Sequence, residues 1–76
     1  MTQKFPVVTG LELVRVLEAV GFVLRRQKGS HVHLYKDEDK RRVTVPIHKG
    51  RSIPIGTLKS ILKDADLTVD QLRKLL

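Results

Sequence analysis

In residues 31–35, His-Val-His-Leu-Tyr, polar and apolar side chains alternate without a break, a period of two that marks a β-strand. Successive strand side chains point to opposite faces, so Val32 and Leu34 share one side and His31, His33 and Tyr35 the other. The period recurs in Val43, Val45 and Ile47, with Thr44 and His48 expected on the opposite side. Phe22 to Lys28 is also β-prone. Lys28-Gly29-Ser30 and Asp37-Glu38-Asp39-Lys40 supply the turns between these segments. The expectation is an antiparallel meander of three strands, the third running from Arg42 to Ile47, because its connections are short. One face is apolar, the other basic and histidine-bearing.

The flanking segments have the period of a helix. Thr9 opens a capping box, its hydroxyl placed to accept the Glu12 amide proton while the Glu12 carboxylate reaches back. Leu11, Val14, Leu17 and Val20 then recur at helical spacing, broadened by Leu13 and Val16, and Gly21 fits a left-handed stop. This predicts a helix over 10–20, after an extended lead-in from Met1 to Val8 in which Pro6 excludes helix. Beyond a loop from His48 to Ser52, Pro54 suits the first turn of a second helix with the stripe Ile55, Leu58, Ile61, Leu62 and Ala65. Thr68 and Gln71 form another capping box for a short terminal helix ending near Leu75. The predicted fold is α+β, in the order α-β-β-β-α, with a three-stranded antiparallel sheet and a short C-terminal helix. Both main helices need the one apolar face, so the other stays in solvent.

The chain has 76 residues and no repeat or low-complexity tract, so residues 1–76 are expected to form one domain. A chain of this length buries only about 60% of its unfolded surface, so its core is thin. No cysteine is present to supplement it with disulfides or thiolate-bound zinc. No apolar run approaches the roughly 18 residues of a membrane span. The N-terminus lacks the basic segment and apolar stretch of a signal peptide. These absences predict a cytoplasmic protein with no membrane partner.

Charge narrows the partner. Fifteen Lys and Arg against eight Asp and Glu leave a net +7, which points to a polyanion. Residues 25–51 carry +6 of that charge and all three histidines. Concentrating both in one segment favours a phosphate-binding face over a merely solvated surface.

His31 and His33 lie two apart on one strand and point away from the predicted core. A solvated surface histidine is one reading of His31. A metal ligand paired with His33 is another, opposed by the lack of a carboxylate or cysteine at matching spacing. General acid/base work or a phosphate contact is the third, and the basic setting favours it. RNA carries its own nucleophile, the 2′-hydroxyl. A site therefore needs only to take that proton, protonate the departing 5′-oxygen and neutralise charge on phosphorus. His31 can perform either transfer without a metal. Arg26, Lys28 and Lys49 are candidate phosphate contacts, with the Gly29 and Ser30 amides, and His33 or His48 can be the second proton carrier. Ser30 beside His31 is no triad, because neighbours on a strand face opposite ways. No P-loop or dinucleotide fingerprint occurs, and no small-molecule cofactor is expected. Tyr35 is the only aromatic on the open face, too few for a platform that stacks several bases.

Gly29-Ser30-His31 after a basic strand, Val43-Thr44-Val45-Pro46-Ile47-His48, and Gly56-Thr57-Leu58-Lys59-Ser60-Ile61-Leu62 resemble the HicA toxins, the YcfA-like family. The resemblance runs from the Gly10 helix to Thr68. It implies a fold like the double-stranded RNA-binding domain, a metal-independent messenger-RNA endoribonuclease, and a HicB-type antitoxin protein as partner. The family's catalytic histidine follows its Gly-Ser pair, which carries the role onto His31; Gly29, Ser30 and His48 match the same motifs. The alternative reading is a non-catalytic module for double-stranded RNA, binding by shape and phosphate contacts. A third is a protein-interaction domain whose basic face meets an acidic partner.

Overall fold

The computed structural model describes residues 5–76; residues 1–4 of the expected lead-in lie outside the described residues. Phe5 to Val8 takes no regular structure. Val8 is buried, and its carbonyl accepts the Ile53 amide proton at 2.8 Å. An isolated bridge between Thr9 and Ser52 fastens the same two segments.

Helix α1 spans Gly10–Ala19. The Thr9–Glu12 capping box forms in both directions, at 2.8 and 3.2 Å. At its other end Gly21 stands at φ 107°, the Gly21 amide donates to the Glu18 carbonyl and the Phe22 amide to the Leu17 carbonyl. This bond pair closes a helix through a left-handed residue and satisfies carbonyls that would otherwise be orphaned. Strands β1 (Val23–Lys28), β2 (His31–Lys36) and β3 (Arg41–Pro46) follow, all antiparallel, in the order β1-β2-β3. The third strand thus begins and ends one residue earlier than its alternation predicts. Helix α2 covers Ile55–Ala65 and α3 Val69–Leu75. Pro54 is the residue before α2 rather than part of its first turn, with ψ 145° placing it in extended backbone. The second capping box, Thr68 with Gln71, starts α3 as expected.

The inner sheet face carries Val32, Leu34, Val43 and Val45, each at most 2% exposed. Leu13 and Leu17 of α1 and Leu58 and Leu62 of α2 belong to the same buried cluster. Leu72 of α3 is also fully buried in it. Every residue of β1 is exposed, so the apolar cover lies under β2 and β3. Two expected stripe residues fall outside it. Leu11 is 57% exposed because it projects from the far side of the helix from the buried set Leu13, Val14, Val16 and Leu17. Ile55 shares the stripe of α2, but its place in the first turn leaves it 59% exposed.

Candidate nucleic-acid interface

The face left uncovered is a grid set by strand register. Lys28, His31 and Pro46 pair across the sheet in one row; Arg26, His33 and Thr44 form the next; Val23, Tyr35 and Arg42 form the third. Residues paired across an antiparallel ladder have Cβ atoms about 5 Å apart. Rows repeat about every 7 Å, two residues of rise.

A β-bulge decides which cations enter this grid. The β1–β2 register slips between Leu24 and Arg26, leaving Arg25 unpaired in the ladder. Unbroken alternation from Leu24, which opposes the buried Leu34, would turn Arg26 and Lys28 inward. The extra residue resets the phase, so Arg26 opposes His33 and Lys28 opposes His31. Arg25 itself turns aside, its Nη2 2.7 Å from Asp37 Oδ2.

The acids are arranged to leave the face positive. None of the three strands contains Asp or Glu. Asp37 pairs with Arg25, and Asp39 lies 3.4 Å from Lys36 and 4.0 Å from Arg41. Arg26, Lys28 and Arg42 make no ion pair among the described residues. Cations held without local counter-charge attract a phosphate chain most strongly.

The hairpin turn places His31. Gly29 takes φ 58°, a left-handed conformation that costs L side chains energy, although open space surrounds it. A glycine at the first position of a two-residue hairpin loop matches the strand twist. The Ser30 carbonyl accepts the Ile47 amide proton at 2.6 Å, tying the turn to the end of β3. The Gly29 and Ser30 amides donate no turn or loop hydrogen bond among the described residues. Lys28, Gly29, Ser30, His31, His33 and Thr44 line an open hollow of about 470 Å³. A second, of about 360 Å³, adjoins it and shares His33 and Thr44; it is lined as well by Arg26, Tyr35, Arg42 and Val43. His33 bridges the two, half-buried, with Nδ1 3.0 Å from Thr44 Oγ1.

Of the eight residues expected from the sequence, Lys28, Gly29, Ser30, His31 and His33 thus come together around one hollow. Arg26 joins through the adjoining one. His48 and Lys49 line neither. Beyond the Ile47–Ser30 bond the chain leaves the ladder, and the His48 carbonyl accepts the Arg51 amide at 2.9 Å in a turn with Gly50 at φ 75°. The expected sharing of one sheet face by Thr44 and His48 fails there, since β3 stops at Pro46. Arg42 and Thr44 also line these hollows, since the alternation through Val43 and Val45 turns both outward. Among the described residues no three His, Asp or Glu side chains are grouped to hold a metal ion. No helix among them is long and apolar enough to cross a membrane.

The sequence profile of the HicA toxins of bacterial toxin–antitoxin systems matches residues 10–67, from the first residue of α1 through the end of α2. The chain belongs to the HicA toxin family. Its role is therefore that of the toxin in such a pair, of the ribonuclease type, with an antitoxin as partner. A search of curated proteins found no match. The HicA match takes in the whole three-row face and the hairpin that carries Gly29-Ser30-His31, and leaves α3 outside.

Proposed function

We propose that this HicA toxin cleaves messenger RNA by activating the RNA's own 2′-hydroxyl, with His31 as general acid or base and no metal in the reaction. The observation that carries this reading is the gathering of His31, His33, Lys28 and the Gly29–Ser30 turn around one open hollow on an acid-free face. In the step, the 2′-oxygen bonds to phosphorus as its proton passes to one imidazole. The bond from phosphorus to the 5′-oxygen breaks as that oxygen takes a proton from a second group. The products are a 2′,3′-cyclic phosphate and a free 5′-hydroxyl. Displacement in line with the leaving oxygen needs the two proton carriers on opposite sides of phosphorus. His31 and His33 are spaced about 7 Å apart along one strand, leaving room for a phosphate between them. His33 is thus the better second carrier than His48, which lines neither hollow. Lys28, Arg26 and the unengaged turn amides are placed to neutralise charge that builds on the phosphoryl oxygens.

The partner that silences this activity is proposed to be a HicB-type antitoxin, acting by covering His31 with an acidic surface. The test is cleavage of a messenger RNA in EDTA by wild type and His31→Ala, each shown folded by circular dichroism and equal in RNA binding. Cleavage by wild type alone, with cyclic phosphate ends and with DNA spared, is the expected result. Equal cleavage by both removes His31 from the chemistry. Binding of duplex RNA without cleavage by either replaces the enzyme with a duplex-binding module.

A further inference from the structure

Tyr35 stands two rows from His31, about 13 Å along the same strand, and its ring is half-buried between unlike neighbours. Arg42 opposes it on β3, and the exposed apolar side chain of Val23 opposes it on β1. The hollow of about 360 Å³ beside it is lined by two guanidinium groups, Arg26 and Arg42, neither held by an ion pair among the described residues. The hydroxyl of Thr44 is engaged with His33, so the hollow offers an aromatic face and cations but no acid. Asp37 lines a separate hollow with Tyr35 and Arg25, and its carboxylate is paired with Arg25 at 2.7 Å.

These features match a nucleotide in two parts. The rows repeat at roughly the spacing between successive phosphates of an extended strand, so a chain whose scissile phosphate lies between His31 and His33 carries its next phosphate between the Arg26 and Arg42 rows. The ring and the flanking Arg42 then take a base: stacking on an aromatic side chain tolerates any base, and a guanidinium adds to it. A base paired in a duplex cannot leave its neighbours to reach that ring. Resting on the ribonuclease reading above, we propose that Arg26, Tyr35 and Arg42 form a subsite for an unpaired base and its phosphate, close beside the scissile bond. The substrate class that follows is single-stranded RNA of at least three nucleotides.

This chain has one tyrosine, so in a proton magnetic resonance spectrum a single set of tyrosine ring signals, assigned apart from those of its two phenylalanines and three histidines, reports on Tyr35. The probe is a 2′-O-methyl hexaribonucleotide, which lacks the attacking hydroxyl and survives contact with wild-type protein. Upfield shifts of the Tyr35 ring on titration are expected, together with shifts of the Gly29, Ser30 and His31 amides. Inorganic phosphate should move the amides and leave the ring in place. Tyr35→Leu should weaken hexanucleotide binding about tenfold, and Tyr35→Phe, which keeps the ring, should restore it. Arg42→Gln should weaken binding and lower the steepness of its salt dependence by about 0.7 in logarithmic slope. Movement of the amides with a still ring overturns the subsite and leaves the His31 reading standing. No movement at either place overturns both. A blunt-ended duplex that shifts the ring as much as the single strand overturns the stacked base and favours a duplex-binding face.

Discussion

His33 Nδ1 lies 3.0 Å from Thr44 Oγ1, so a histidine that faces His31 along β2 is oriented by a hydroxyl from β3. Replacing Thr44 with Val keeps its shape and removes that bond. His33→Ala is expected to lower kcat by about a hundredfold if the imidazole carries a proton. Thr44→Val should lower kcat by less than tenfold and leave KM unchanged, since it frees the ring without removing it. A rise in KM with unchanged kcat for His33→Ala would make it a phosphate contact instead.

Arg25 is the residue the β1 ladder skips, and its charge is taken up by Asp37. Deleting it leaves Arg26 opposite His33 and Lys28 opposite His31. RNA affinity of the deletion variant should therefore stay within about threefold of wild type, with the slope of log K against log salt nearly unchanged. Arg26→Ala should reduce that slope by about 0.7 for a single strand. Equal losses from the two changes would show that the bulge does not set the face.

A Cβ at Gly10 would lie 2.6 Å from the Pro46 carbonyl oxygen and 2.9 Å from Ile47 Cγ1. The start of α1 meets the end of β3 too closely for any side chain. Gly10→Ala is expected to destabilise the fold by about 1–3 kcal/mol, the usual penalty of overpacking. Thermal unfolding measures it, and an unchanged midpoint would mean that the two elements separate freely.

Leu72 is fully buried, yet it lies outside the stretch that matches the HicA profile. Leu72→Ala should cost about 2–5 kcal/mol, as for other leucines whose removal leaves a cavity. Urea unfolding of this variant tests whether α3 is an integral part of the core, and a loss under 1 kcal/mol would make it an appendage.

Local signals in the sequence carried furthest where one residue's chemistry determines the structure. Thr9 with Glu12 and Thr68 with Gln71 close their capping boxes as their spacing requires. Gly29 and Gly21 take the positive φ that their turns need. The alternation of β2 sorts His31 from Val32 without help from any other element. The bulge at Arg25 could not be read this way, because it depends on pairing with β2 and on an acid twelve residues further along. Leu11 and Ile55 look like core to a periodicity argument, which sees the stripe but not how much of it the sheet covers. His48 lies past the end of β3, and alternation says nothing about where a strand stops. Arg42 is legible only in part: alternation turns it outward, but its neighbour Tyr35 is fixed only by the register of β2 and β3.

Inward and outward side chains alternate along β2 and β3, and the core draws only on the inward set. Lys28, His31, Thr44 and Arg42 are all exposed and support none of the packing. With His31 as the proposed proton carrier, disarming this toxin and unfolding it become separate events in heredity. A bacterium under selection to escape a poisonous gene should accumulate changes at His31, leaving a stable and harmless protein.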